Sequence, residues 1–192
     1  MKLVALVGSS GCGKSTVASI LGELGYHRLR FSQPIKDMLK AIGLSDDHTE
    51  GTLKESPCSL LSGKTPRYAM QTLGTEWARN MMGKNFWLNL WKEKASQHDW
   101  VVVEDCRFAN EAALVKQMGG ELWKIQRSGC VYSGHPSEKA MEFIKGDILI
   151  SNDGSVKELS DKVRHLTRTL DKIAWEGDIG ENRLDRARWH GL

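Results

Sequence analysis

Apolar and polar positions follow two rhythms along this chain, one of short continuous runs and one of helical spacing. Leu3-Val4-Ala5-Leu6-Val7 has the length and composition of a buried strand, and Val17, Ile20, Leu21 and Leu24 then recur as one face of a helix. The stretch 26–31 predicts a second strand, and Ser32 before Gln33-Pro34 predicts a capped helix with Ile35, Met38, Leu39 and Ile42 inward, stopped by Gly43. Pro66 predicts the start of a helix with Met70, Leu73, Trp77 and Met81 on its apolar face and Gly83 at its end. Asn85 predicts the cap of another helix, carrying Phe86, Leu90 and Trp91 inward. Trp100-Val101-Val102-Val103 is a third strand, 110–118 a helix closed by Gly119-Gly120, 122–125 a fourth strand and 147–150 a fifth. A long helix follows on Val156, Leu159, Val163, Leu166 and Leu170. Two stretches lack rhythm: 44–65 reads as a long surface connection, and 128–135, with two glycines, as a hinged flap.

Alternating strands and helices give an α/β fold, with a parallel sheet of about five strands and helices on both faces. The length of 192 residues suits one such domain.

The chemistry starts between the first strand and the first helix. Gly8-Ser9-Ser10-Gly11-Cys12-Gly13-Lys14-Ser15 fits G-x-x-x-x-G-K-[ST] at every fixed position, in the strand, loop, helix context that gives the motif meaning. Its glycines let successive backbone N–H groups turn toward phosphate oxygens at a helix N-terminus. Lys14 can reach the β- and γ-phosphates and Ser15 can ligate Mg²⁺. The motif predicts a nucleoside triphosphate and Mg²⁺ without naming a reaction.

Charge and cysteines narrow the setting. A net charge of +3 from 27 basic and 24 acidic residues demands no nucleic acid, and the basic residues form no long stripe. The four cysteines, Cys12, Cys58, Cys106 and Cys130, form no C-x-x-C pair, which suits a reducing cytoplasm and argues against disulfides or a zinc knuckle. No apolar run approaches a membrane span.

Further candidates fall at predicted strand ends and helix starts. Glu104-Asp105-Cys106-Arg107 follows the third strand, on the sheet edge where α/β folds place ligands. Asp105 could hold Mg²⁺ through water and Arg107 could grip phosphate, or the two could pair with each other. Lys36 is a phosphate contact or a solvated lysine. His135 near Glu138 suggests acid/base work, but transfer between phosphates needs positioning and charge neutralisation more than a proton acceptor. The turn Ser151-Asn152-Asp153-Gly154 shares the sheet edge of the phosphate loop.

Together the phosphate loop, Pro34-Ile35-Lys36-Asp37, Met70-Gln71-Thr72-Leu73-Gly74-Thr75, Asp105-x-Arg107 with Glu111, and Asp147 through Asn152-Asp153-Gly154-Ser155 resemble the tailed-phage deoxynucleoside monophosphate kinases, a branch of the P-loop NMP kinase group. The segment from Met118-Gly119 through Arg127 to His135-x-Ser137-Glu138 agrees in order and spacing, although Ser128 stands where the family has proline. The resemblance covers 1–170 and implies one kinase domain, with an acceptor-binding helical region at about 32–92 and a flap, or LID, at about 127–138. The tail 171–192 has no reading. The resemblance implies a triphosphate donor on Gly8, Ser9, Ser10, Gly11, Cys12, Gly13, Lys14, Ser15 and Thr16, with Asn152, Asp153 and Gly154 beside its adenine. An acceptor monophosphate is implied near Lys36, Arg67, Gln71, Trp87, Arg107, Glu111, His135 and Glu138, and Arg127 as a closing cation. The expected reaction is Mg²⁺-dependent transfer from ATP to a (deoxy)nucleoside 5′-monophosphate. A dephospho-coenzyme A kinase-like enzyme and a nucleotide-dependent switch module are the alternatives, and assembly as a homodimer is left open.

Overall fold

The computed structural model of the chain describes residues 1–130, 141 and 143–170. Five strands, β1 (Lys2–Val7), β2 (His27–Leu29), β3 (Trp100–Val103), β4 (Glu121–Gln126) and β5 (Ile148–Ser151), form one sheet in the order β2-β3-β1-β4-β5. All four pairings are parallel, with Val4 opposite Val102 on one side of β1 and Leu6 opposite Trp123 on the other. β1 is central, so successive crossovers leave it in opposite directions and a crevice opens at the C-terminal strand ends.

The apolar runs are continuous because both faces of the sheet are covered. On one face Leu3, Ala5, Val7, Val101 and Val103 meet Leu88, Trp91 and Ala95 of α5 (Phe86–Ala95) and Ala112 and Val115 of α6 (Ala109–Gln117). On the other, Val4, Leu6, Val102, Trp123, Ile125 and Ile150 meet Val17, Ala18 and Leu21 of α1 (Lys14–Glu23) and Leu159 and Val163 of the helix at 156–170, α7. Trp91 and Trp123, one in each layer, are fully buried, and truncating either to alanine costs about 3–5 kcal/mol. At the far end of β4 and β5, Asp147 accepts from the Leu122 N–H and pairs with Lys116, so it is a strand tie remote from the crevice.

Several helix faces differ from expectation. In α2 (Gln33–Ala41) Leu39 is buried, but Met38 and Ile42 are exposed, because α2 packs chiefly against the neighbouring helical segments 46–49 and 66–71 rather than on the sheet. Ser32 occupies the N-cap position without capping: its Oγ donates to Asp105 instead, at 2.6 Å. The stretch 44–65 is not featureless. It folds as a single helical turn, α3 (Asp46–Thr49), and two 3₁₀ turns, Thr52–Glu55 and Ser59–Leu61.

The largest departure follows α4 (Pro66–Gln71), which continues as a π-helix over Thr72–Met82. The wider winding closes with the Gly83 N–H on the Ala78 carbonyl, five residues back. It buries Gly74 and Ala78 in place of Leu73 and Trp77, which are half-buried, and leaves Met81 76% exposed. In α5, Trp87 and Leu88 turn inward with Trp91 while Leu90 is exposed, and Asn85 makes no side-chain cap. Val156, at the start of α7, is exposed as well.

Candidate active site

The phosphate loop joins β1 to α1 and is shaped from beneath. Gly13 has φ +106°, and a Cβ there would stand 2.3 Å from Nδ2 of Asn152. That amide is buried and donates to the Cys12 carbonyl at 2.9 Å, so the turn after β5 fixes the loop's curvature. Asn152 thus supports the loop backbone while also lining the cavity above it. Asp153 accepts from the Ser128 N–H at 2.6 Å and from Ser151 Oγ, and these bonds, the backbone N–H foremost, hold its carboxyl down at about 2. It ties the strand-end turn to the residue after Arg127. Lys14 folds over the loop, donating to the Gly8 and Ser9 carbonyls at 2.7 Å each. Cys12 is buried, and burial pushes its thiol up, away from reactivity.

Above this loop lies a cavity of about 960 Å³ lined by Ser10, Gly11, Gly13, Lys14, Ser15, Thr16, Arg127, Asn152 and Gly154. Gly8, Ser9 and Cys12 lie beneath it as buried backbone support. A second cavity of about 330 Å³ runs inward among Phe31, Ile35, Met70, Trp87, Phe108 and Glu111. Both cavities share the lining residues Ser32, Lys36, Glu50, Lys54, Arg67, Gln71, Asp105 and Arg107. Of the expected acceptor residues, Lys36, Arg67, Gln71 and Arg107 line the junction and Trp87 and Glu111 the inner cavity, while His135 and Glu138 lie outside the described residues.

Two neighbouring residues of the β3 edge organise that junction. Glu104, only 7% exposed, accepts from Arg28 at 3.1 Å and from Arg30 Nε at 2.5 Å. Asp105 accepts from the Phe31 and Ser32 N–H groups at 2.8 and 3.0 Å and from Ser32 Oγ. Asp105 thereby stitches the end of β3 to the start of α2, and it pairs with neither Arg107 nor any other cation among the described residues. Arg107's backbone N–H donates to Glu111 Oε2 at 2.7 Å, which leaves the guanidinium to line both cavities. Arg67 bonds Glu55, and Lys36 donates to Glu50 at 2.5 Å.

The inner cavity ends in an aromatic and ionic wall. Trp87 is buried and its indole N–H donates to the Gly74 carbonyl at 3.0 Å, so it contributes a ring edge and no free polar group. Arg79 lies 4.5 Å over the Phe108 ring and 3.8 Å from Glu111 Oε1. Burial raises the Glu111 carboxyl to about 7, against the opposing pull of the Arg107 and Phe108 N–H groups and of Arg79.

Arg30, Glu50, Lys54 and Arg79 escaped the sequence reading, and Glu104 entered it only as part of the strand-end run 104–107. Arg28 in β2 and Arg30 just past its end stand two apart, a period that puts both on one face toward the strand-end Glu104, and Glu50 and Lys54 stand four apart in the stretch 44–65. Those spacings were the available signals. Among the described residues no three His, Cys, Asp or Glu side chains cluster as metal ligands, and no helix is long and apolar enough to cross a membrane.

Known proteins agree with this geometry. Residues 64–163 match the sequence model of the family described as deoxynucleotide monophosphate kinase. A provisionally named deoxynucleotide monophosphate kinase of Acanthamoeba polyphaga mimivirus is 35% identical over 182 residues, 85% of this chain and 94% of its own length. The deoxynucleotide monophosphate kinase of Escherichia phage RB69 is 32% identical over 53% of this chain, a match that spans 44% of that longer protein. Dephospho-CoA kinase from Campylobacter jejuni superposes with a TM-score of 0.50 at 17% identity, covering 90% of this chain and 98% of that one, a likeness of fold alone. The phosphate loop, the two joined cavities and these sequence matches place the chain in the deoxynucleotide monophosphate kinase family.

Proposed function

We propose that the chain transfers the γ-phosphoryl group of ATP to deoxynucleoside 5′-monophosphates, giving diphosphates, with the triphosphate over the phosphate loop and the acceptor in the inner cavity. The observation that carries this reading is the shared junction: cations on α2, the 3₁₀ turn, α4 and the β3 edge line both cavities at once. An acceptor phosphate held there by Lys36, Arg67 and Arg107 lies in line with a donor phosphate over Lys14. The acceptor is already an anionic nucleophile, so alignment and neutralisation of the equatorial oxygens supply the catalysis. Trp87, Phe108 and Met70 surround the nucleoside, and Gln71 offers an amide at the junction. Arg127 brings positive charge from the opposite wall, and in this reading the flap at 127–138, with His135 and Glu138, excludes water.

The donor set fits Mg²⁺ carried mainly by phosphates and water. Ser15 Oγ lines the donor cavity, and Asp105, whose oxygens already accept from Phe31 and Ser32, is suited to a water of the ion's shell rather than direct ligation. When bound, the ion would supply positive charge against the phosphates. The reading places the enzyme in the cytoplasm, where its four free cysteines stay reduced.

The test is ADP release from ATP and Mg²⁺ with each common dNMP and NMP, beside a no-acceptor control and Lys14→Ala. Acceptor-dependent release that Lys14→Ala cuts roughly 100-fold or more, with the circular dichroism spectrum intact, supports the reading. Release without an acceptor, or none with any nucleotide, overturns it.

A further inference from the structure

Glu50 caps the C-terminal end of α3, and its carboxylate enters the junction of the two cavities. Its Oε1 accepts from Arg30 Nη1 at 2.6 Å and from Lys36 Nζ at 2.5 Å, cations that arrive from the end of β2 and from α2. Lys54, one turn further along, lines both cavities and has no hydrogen bond or ion pair with a described residue. The other carboxylates of this wall each have their own duty: Glu55 holds Arg67, Glu104 holds Arg28 and Arg30, and Asp105 holds Ser32. Glu50 therefore shares Arg30 with Glu104 and is the carboxylate that meets Lys36, with Lys54 close by, where an acceptor phosphate would be bound under the reading above, on which this inference rests.

We propose that Glu50 is the resident counter-anion of the acceptor-phosphate seat, displaced when a phosphate arrives and returning to help expel the product. Three features support displacement over a fixed anchor. Glu50 is about two-fifths exposed, so its carboxylate lies at the cavity mouth and swings into water at small cost. A phosphate brings nearly twice the charge and more acceptor oxygens, enough to satisfy Arg30, Lys36 and Lys54 together. The environment is cation-rich: burial pushes the Glu50 carboxyl up, yet Lys36, Arg30 and Lys54 carry it below its ordinary value. Burial pushes the Lys54 ammonium down, with Lys36, Arg67 and Arg107 adding to that effect against Glu50, as expected of a seat awaiting more negative charge.

Competition for one seat has a quantitative signature. The hydrogen bonds of Glu50 go to Arg30 and Lys36, cations of the proposed phosphate seat, so removing its charge must tighten inorganic phosphate and an accepted dNMP by a common factor. The experiment is calorimetric titration of the full chain and of Glu50→Gln with inorganic phosphate alone and with each of the four common dNMPs, alongside steady-state kinetics. Glu50→Gln should bind both phosphate and nucleotide roughly tenfold more tightly, and its kcat should fall as the product leaves more slowly. Unchanged or weaker phosphate binding would overturn the proposal and make Glu50 an anchor for Lys36. Tightening confined to nucleotides would also overturn it, by placing Glu50 against the nucleoside. The phosphate titration needs no turnover: tighter phosphate in a chain that phosphorylates no dNMP would keep the counter-anion role and refute the kinase reading instead.

Discussion

Glu111 is pulled in opposite directions by burial and hydrogen bonding. At 5% exposure its charged form is costly, while Oε2 accepts from two backbone N–H groups and Oε1 faces Arg79. Burial wins and the folded carboxyl titrates at about 7, above its ordinary 4.5. The folded state then binds a proton more tightly than the unfolded chain, so this group's contribution is complete below pH 4.5 and is lost as pH rises through 7. The loss is on the order of 3 kcal/mol, about 1.4 kcal/mol for each unit of the shift from 4.5 to about 7. Glu111→Gln should flatten that slope in urea unfolding between pH 5 and pH 8, and an unaltered pH dependence would assign the slope elsewhere. Glu111 was legible in the sequence as part of a resemblance. Its partner Arg79 was not, because its position depends on the π-helical winding of 72–82, and nothing in the α-periodic spacing of Leu73, Trp77 and Met81 announces that winding.

At the scale of elements, the site is assembled by short ties between strand ends and helix starts. Asp105 binds the first residues of α2 to the end of β3, Asn152 binds the turn after β5 to the phosphate loop, and Asp153 binds that turn to Ser128. The strands and the phosphate loop could be read from the sequence because continuous apolar runs and fixed glycines are local signals. The ties could not, because each links residues 25 to 140 positions apart. Asp105 distinguishes two roles by experiment. As a stitch, Asp105→Asn leaves an amide N–H facing the Phe31 and Ser32 donors, destabilising the fold by about 1–3 kcal/mol and raising the acceptor KM through the displaced Lys36. As a partner of the metal's water, it shows a loss that added Mg²⁺ reverses. Denaturation midpoints and KM at two Mg²⁺ concentrations separate them, and the hydrogen bonds favour the stitch, with Mg²⁺ rescuing little of the loss.

Across the whole molecule, both substrates are expected on one edge of a single sheet, with the donor cradled between β1 and α1 and the acceptor walled by helices inserted between β2 and β3. The sequence reading put the phosphate loop, 104–107 and the turn 151–154 on one sheet edge, and residues of all three line one cavity there, because parallel α/β sheets collect their loops at that edge. It could not show that the two cavities are continuous, since the continuity depends on Lys36, Lys54, Arg67 and Arg107 arriving from four separate segments. Continuity makes a prediction that neither cavity makes alone. An adenosine and a deoxynucleoside joined through a polyphosphate of suitable length should span the junction and gain affinity from linkage, about 100-fold or more over either half. Such a compound should compete with both ATP and the dNMP in initial-rate inhibition, whereas a non-hydrolysable ATP analogue competes with ATP alone. Inhibition competitive with only one substrate would mean that the cavities do not fill in line. The shared wall of cations would then serve binding at a single site rather than transfer between two.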